Sequence, residues 1–193
     1  MSARPKSRTL GDLLDEMAAA RPHAQALAFR HEQLSYAALR ARVDEMAGAL
    51  LAVGVMRGDR VAVLLPNRPE WVVAALAIAK IGGIVAAIST FSTARELGWT
   101  LEHSGAVALI TISAFRGRAY LDALHDLCPE LAGSAPGALR SERLPGLRTV
   151  VSLDGRRVDG VFQPEDFLAL GAGVGSAALR GRQRSVSPSD VWC

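Results

Sequence analysis

A buried strand, an amphipathic helix and a second buried strand follow one another within residues 58–89. Residues 60–65 form a short apolar run rich in valine and leucine, which is typical of a strand covered on both faces. Pro69 suits the first turn of a helix, and apolar residues then recur at helical spacing until Gly82 and Gly83. Residues 84–88 form the second strand. The pattern therefore predicts a βαβ unit whose two strands are parallel.

The rest of the chain alternates between the same two periodicities. Apolar faces and capping residues predict further helices at residues 10–20, 36–53, 94–103, 120–127 and 164–170. Thr93 and Glu96 form a capping box before one of them. Short apolar runs predict strands at residues 26–30, 107–112 and 149–153, with a return strand starting at Leu34 after a turn. The predicted class is α/β, with a mainly parallel, layered sheet and flanking helices.

Two stretches have competing interpretations. Residues 71–88 are almost continuously apolar, but Lys80 near their middle and the two glycines after it argue against a membrane span. Residues 171–188 are rich in glycine, serine and arginine and are predicted to be a linker, with a glycine run that lacks the spacing of a nucleotide loop. Residues 189–193 would begin a truncated strand. We therefore expect an α/β portion over residues 1–170 and a linker with a strand start over residues 171–193.

Composition narrows the class of protein further. The chain has 193 residues, 50% of them hydrophobic, which suits one globular domain or a large piece of a bigger one. The net charge of +3 and the scattered arginines do not favour nucleic acid as a partner. Cys128 and Cys193 are the only cysteines, so neither a disulfide framework nor a metal site is expected. Residues 1–8 lack the apolar core of a secretory signal, and a cytoplasmic protein is predicted.

No constellation of residues for acid–base, nucleophilic or metal chemistry emerges from the sequence. The four histidines lack metal-ligand spacing, and the phosphate-loop pattern Gly-x-x-x-x-Gly-Lys-Ser/Thr does not occur. Several candidate residues have structural explanations instead, namely helix-end charge, turn chemistry or a place in the core: His103, Glu70, Asp59, Trp71 and Trp99. No catalytic, cofactor-binding or metal-binding residue is therefore assigned.

Several short segments occur together in the order and spacing of one enzyme family. They are GDRVA at 58–62 and PNRPEW at 66–71, with LSYAAL at 34–39, KIGG at 80–83, TFSTAREL at 90–97, HSGA at 103–106 and LPGLR at 144–148. With them, the chain resembles the adenylate-forming acyl-CoA synthetases, also called the AMP-dependent synthetase and ligase family. The resemblance covers the whole chain, and residues 67–71 look most like the fatty-acid and medium-chain branch.

The resemblance implies the fold of an incomplete N-terminal domain of these enzymes. Full-length relatives activate a fatty or other carboxylic acid with ATP and Mg, form an acyl-adenylate, and transfer the acyl group to coenzyme A. The family's phosphate loop is expected just after Val191, with the adenine and ribose motifs and the catalytic-lysine domain further on. The chain alone is thus expected to bind no cofactor and to be inactive, and its status as an enzyme stays open.

Two departures and two alternatives complete the interpretation. Ala87 and Ser89 stand where the family commonly has proline and asparagine, so this turn is expected to be looser. The first alternative is a docking module that pairs with the missing remainder or a homologue, because an unfinished sheet edge invites pairing and self-association. The second is a small-ligand-binding α/β domain with its site at the carboxyl edge of the sheet.

Overall fold

The computed structural model describes residues 9–193 and confirms the α/β class. The prediction that residues 1–8 are not a secretory signal concerns residues outside this described range. The strands are β1 (Gln25–Phe29), β2 (Glu32–Ser35), β3 (Arg60–Leu64), β4 (Ile84–Ala87), β5 (Ala108–Thr111), β6 (Ala114–Phe115), β7 (Arg118–Ala119) and β8 (Thr149–Ser152). The helices are α1 (Leu10–Ala20), α2 (Tyr36–Ala52), α3 (Pro69–Lys80), α4 (Ala94–Ser104), α5 (Tyr120–Leu127), α6 (Pro164–Gly171) and α7 (Ser176–Arg184).

Four parallel strands form the central sheet, in the order β4-β3-β5-β8. Val61 of β3 lies opposite Val85 on one side and Ala108 on the other, and Ala108 lies opposite Thr149. The chain leaves β3 toward β4 and then returns past β3 to form β5, so the strand order reverses between β3 and β5. Such a reversal leaves a crevice at the carboxyl ends of the strands.

Helix α2 is the centre of a helical layer that contacts α1, α3, α6 and α7. Its closest neighbour is α6, and the two backbones meet at Gly48 and Gly171. A Cβ atom on Gly171 would lie 2.8 Å from the backbone nitrogen of Ala49 and 2.9 Å from the carbonyl oxygen of Glu45. Glycine is therefore required at this crossing because no side chain fits between the helices.

Lys80 ties four helices together although it is only 3% exposed. Its Nζ lies 2.9 Å from Asp15 Oδ1 on α1 and 2.6 Å from Asp44 Oδ1 on α2. Gln183 of α7 donates hydrogen bonds of 2.9 Å from Nε2 to Asp12 and to Asp15. A buried ammonium group needs such partners, so the end of α3 fixes where α1, α2 and α7 lie.

Most predicted elements are confirmed to within a few residues, including the capping box of Thr93 and Glu96. The hairpin of β6 and β7 was not predicted, and β2 begins at Glu32, two residues before the predicted start at Leu34. The side chain of Trp99 was expected in the core and is 61% exposed, stacked on His103 with ring centroids 4.7 Å apart. That prediction was wrong because the helix-spacing argument did not distinguish the buried face of α4 from its solvent face.

The predicted linker at residues 171–188 contains α7, so that interpretation was wrong for residues 176–184. The segment SAALRGRQR is rich in residues that favour helices, and Gln183 anchors it to α1. Residues 189–193 form no strand, but the carbonyl of Trp192 accepts a 2.7 Å hydrogen bond from the N–H of Val85 in β4. The boundary after residue 170 stays a prediction.

No helix within residues 9–193 is both long enough and apolar enough to cross a membrane. In particular, α3 ends at Lys80 after 12 residues, and the chain then turns at Gly82 and enters β4. The sequence argument that Lys80 and the glycines divide the apolar run is therefore confirmed.

The variant Lys80→Met is expected to lower the free energy of unfolding by about 3 kcal/mol, because it leaves two carboxylates without their buried cation. The matched control is Arg40→Met, which removes a 3.9 Å surface pair with Asp44. That control should cost less than about 1 kcal/mol. Urea denaturation of both variants measures the difference, and equal losses would contradict a structural role for Lys80.

Candidate functional site

A cleft of about 900 Å³ lies across the carboxyl ends of β3, β4 and β5. It occupies the switch point of the sheet, which is where open α/β sheets bind ligands. The walls come from four segments: the β1–β2 hairpin, residues 65–71 after β3, residues 88–91 after β4, and residues 112–116 after β5. The sequence predicted a site at this edge as one alternative, and the structure places a cleft there.

The floor beside β3 is held by an ion pair at the start of α3. Arg68 donates to Glu70 through Nε at 2.7 Å and through Nη2 at 2.8 Å. This hydrogen bonding holds the pKa of Glu70 below its usual value and that of Arg68 above its own. Glu70 lies in the first helical turn as predicted, and its direct partner is Arg68 in addition to the helix dipole. Both charges are therefore engaged with each other.

The turn after β4 forms the second wall. The N–H of Ser92 donates to the carbonyl of Ser89 at 3.0 Å, and the N–H of Phe91 donates to Ser89 Oγ at 3.2 Å. The hydroxyl of Tyr120 donates to the carbonyl of Thr90 at 2.7 Å, and burial raises the pKa of this tyrosine. These bonds define the turn and leave Phe91 62% exposed at the cleft. The expected loosening of this turn stays a prediction.

Two hairpin tips present the same dipeptide, Phe-Arg, to the cleft. Arg30 follows Phe29 at the end of β1, and Arg116 follows Phe115 at the end of β6. Each guanidinium carbon lies over the preceding ring, 5.3 Å and 5.4 Å from the ring centroids. Both arginines have positive φ values, 53° and 47°. Residues other than glycine rarely adopt this conformation, so the backbone of each tip is strained.

The cleft carries an excess of positive charge. Glu32 on its rim accepts a 2.7 Å hydrogen bond from Arg42, and Glu70 is paired with Arg68. Arg30 and Arg116 make no ion pair with any residue in the range 9–193. The described part of the chain also holds no group of three or more side chains suited to a metal ion. The charge and the exposed rings favour an anionic, partly aromatic ligand.

Asp154 connects the carboxyl ends of β5 and β8 beside the cleft. Its carboxylate accepts from the N–H and the hydroxyl of Ser113 at 2.8 and 2.5 Å, and from the hydroxyl of Ser152 at 2.8 Å. Desolvation would raise the pKa of Asp154, but these hydrogen bonds together outweigh it, and the pKa lies below its usual value. The ionised form therefore holds the two strand ends together.

The structure places the remaining predicted residues as follows. Asp59 Oδ2 accepts from the N–H of Met56 at 2.9 Å, which confirms its role in a turn. The side chain of Trp71 packs against the core and also borders the cleft. The glycine run begins at Gly171, the last residue of α6, so it follows a helix as predicted, and α7 begins at Ser176. Sequence reasoning missed Arg30 and Arg116. A usable sign for the second was Arg116-Gly117, a pair that fits a two-residue hairpin loop.

The variant Asp154→Asn is expected to lower the free energy of unfolding by about 1 kcal/mol at pH 7, since an exposed carboxylate loses charged hydrogen bonds. Because the folded pKa is lowered, this contribution is complete above the ordinary aspartate pKa of about 3.9. It is lost as the pH falls through the lower folded value. Thermal unfolding of both proteins from pH 7 to pH 2.5 should show the difference shrinking, and a constant difference would contradict this role.

Comparison with known proteins identifies relatives of the whole segment. The chain is 34% identical over 185 residues to YngI of Bacillus subtilis, covering 95% of this chain and 34% of that protein. It is 37% identical over 185 residues to the mitochondrial medium-chain acyl-CoA ligase ACSF2 of Mus musculus, covering 94% of this chain and 30% of that protein. The chain thus spans about a third of the length of the curated relatives it matches.

Solved structures share the fold. Acetoacetyl-CoA synthetase from Streptomyces lividans superposes with a TM-score of 0.66 and 28% identity. The match covers 83% of this chain and 25% of the synthetase chain. A fatty acyl CoA synthetase from Mycobacterium tuberculosis, at 21% identity, supports the fold alone, with a TM-score of 0.63 over 98% of this chain and 31% of its own. Residues 14–166 match the family described as AMP-binding enzyme. The chain therefore belongs to the AMP-binding enzyme family, as a portion related to its acyl-CoA synthetases.

Proposed function

We propose that this chain supplies the first α/β layer of an AMP-forming acyl-CoA synthetase and cannot form an acyl-adenylate by itself. The observation that carries the proposal is coverage: the medium-chain acyl-CoA ligase ACSF2 of Mus musculus matches 94% of the chain, while the chain spans 30% of that protein's length. Adenylation needs groups that stabilise charge on a transferring nucleotidyl group. The cleft side chains in this layer bind ligand, and the remaining groups come from the rest of the enzyme.

We propose further, in place of the expectation from the sequence that the chain alone binds no cofactor, that the cleft receives a phosphate-bearing part of the reactants, with coenzyme A as the first candidate. The planar guanidinium groups of Arg30 and Arg116 match the geometry of phosphate oxygens. The rings of Phe29, Phe91 and Phe115 line the same cleft and offer surfaces for an adenine base. These side chains orient the ligand and move no proton. The acid substrate is a fatty or other carboxylic acid, as in the relatives.

A second candidate role is a docking module that pairs with the remaining portion of a synthetase. It is favoured by the outer edge of β4, where, within residues 9–193, the one backbone hydrogen bond runs from the N–H of Val85 to the carbonyl of Trp192. The alternative is that two copies of this chain associate through the same edge.

Purified chain incubated with ATP, Mg and fatty acids is expected to release no pyrophosphate above the blank. The physical reason is that the proposed groups for charge stabilisation belong to another part of the enzyme. An enzyme-coupled pyrophosphate assay measures this. The control is the same preparation after removal of host acyl-CoA synthetases by size, and turnover that persists in proportion to this chain would contradict the proposal.

Coenzyme A at a concentration of 100 times its dissociation constant should stabilise the fold by about 2.7 kcal/mol. For a chain of this size that corresponds to a rise in Tm of roughly 5–10 °C. The double variant Arg30→Ala, Arg116→Ala should lose most of the rise, whereas Arg95→Ala on the exposed face of α4 should keep it. Differential scanning fluorimetry with coenzyme A, ATP and inorganic phosphate gives the comparison. An equal rise in all variants, or no rise for the wild type, would refute binding in the cleft.

A further inference from the structure

The hairpin that presents Arg116 to the cleft is too small to fix its own position. Strands β6 and β7 contribute two residues each and face one another in only two pairs. A two-stranded hairpin is marginal in water when it stands alone. Its loop residues, Arg116 and Gly117, have positive φ values of 47° and 78°, and only the glycine adopts such a value without strain. Contacts outside the hairpin must therefore hold its tip in place.

Ser113, which lies just before β6, links this hairpin to the end of β8. Its N–H and its hydroxyl both donate to Asp154 Oδ2, at 2.8 and 2.5 Å. Its carbonyl accepts from the N–H groups of Tyr120 and Leu121 at the start of α5, at 2.8 and 3.2 Å. Tyr120 directly follows β7, so Ser113 closes the base of the hairpin. Both ends of the hairpin are thus connected to one carboxylate.

The carboxylate of Asp154 is itself held by the central sheet. The hydroxyl of Ser152, the last residue of β8, donates to Asp154 Oδ1 at 2.8 Å. Ser152 is fully buried, and β8 pairs with β5 along its whole length. Hydrogen bonds to an ionised carboxylate are roughly twice as strong as those between neutral groups. Asp154 therefore connects a small hairpin firmly to a buried strand.

A second contact holds the hairpin from the opposite side of the cleft. The hydroxyl of Tyr120 donates to the carbonyl of Thr90 at 2.7 Å, and Thr90 belongs to the turn after β4. Strands β4 and β8 are the two outer strands of the sheet. The hairpin is therefore held between the carboxyl ends of both outer strands, and Arg116 at its tip lines the cleft between them.

We propose that Asp154, acting through Ser113, is a positioning residue for the phosphate-bearing ligand, because it holds the β6–β7 hairpin where Arg116 reaches the cleft. This role rests on the proposed function for the identity of the ligand, and on the hydrogen bonds of Ser113 for its place in the fold. Asp154 is not one of the described residues that line the cleft, so it acts only through the hairpin. The apparent dissociation constant rises as the fraction of correctly placed hairpins falls.

The first test measures binding of coenzyme A to the full chain by isothermal titration calorimetry. Ser113→Ala removes the hydroxyl bond to Asp154 and should raise the dissociation constant about fivefold, because fewer molecules hold the hairpin in place. Ser113→Thr restores a hydroxyl and should bind within about twofold of the wild type. The matched control, Ser152→Ala, removes a hydroxyl from the same carboxylate. It should also stay within about twofold, because the hairpin keeps its own bonds to Asp154.

The loss caused by Ser113→Ala should depend on the arginine that the hairpin carries. In an Arg116→Ala background, Ser113→Ala should change the dissociation constant by less than about 1.5-fold, since no guanidinium is left to position. In an Arg30→Ala background, the loss of about fivefold should remain, because Arg30 is on the other hairpin. Equal losses in the two backgrounds would indicate a general structural effect and would overturn the proposal, as would wild-type affinity in Ser113→Ala.

Cleavage by trypsin after Arg116 reports the position of the hairpin without any ligand. Proteases cut locally opened segments, so cleavage between Arg116 and Gly117 should be about fivefold faster in Ser113→Ala than in the wild type. It should be unchanged in Ser152→Ala, with cleavage after Arg30 as the internal reference. Equal rates in Ser113→Ala and the wild type would overturn the anchoring by Asp154. Absence of coenzyme A binding by the wild type counts against the proposed function, whereas faster cleavage in Ser113→Ala still supports the anchor.

Discussion

The helical layer depends on one buried charge. Lys80 is buried at the end of α3, and its ammonium group must be neutralised because burying a charge without a partner is costly. Its partners are Asp15 on α1 and Asp44 on α2, and Gln183 of α7 also donates to Asp15. Apolar packing alone would tolerate several arrangements of these helices. The buried charge favours the arrangement in which the carboxylates of Asp15 and Asp44 reach the ammonium group of Lys80. This arrangement fixes how the helices cover the sheet.

The cleft differs from the helical layer in that two of its charged side chains have no neutralising partner among the described residues. The acidic residues on the rim are engaged by Arg42 and Arg68. What remains is a pair of arginines on hairpin tips, each lying over its own phenylalanine ring. The strands place these tips on the same side of the sheet. The fold thus gathers an excess of positive charge at the crevice above the strand ends, although the overall charge is only +3.

How much the sequence predicts depends on how local each determinant is. The βαβ unit follows from apolar runs, Pro69 and a pair of glycines, and the capping box from two residues three positions apart, so these were predicted correctly. The strands β6 and β7 have two residues each, too few to show a period. Helix α7 was missed because the glycines, serines and proline on either side of it gave residues 171–188 as a whole a composition typical of loops. The charge of the cleft depends on pairs such as Arg42 with Glu32, ten positions apart, which only the folded chain brings together.

The left-handed tips have a consequence for how this protein could vary. Glycine at residue 30 or 116 would relax the backbone, so a sequence chosen for stability alone would place glycine there. Arginine at both positions keeps the strain. It also adds a cation that forms no ion pair within the described residues. Stability and ligand affinity therefore compete at the same two positions. Selection of this chain for heat resistance alone should therefore favour glycine at these positions. The backbone strain would be relieved, and the cleft would lose its two arginine side chains and their positive charge.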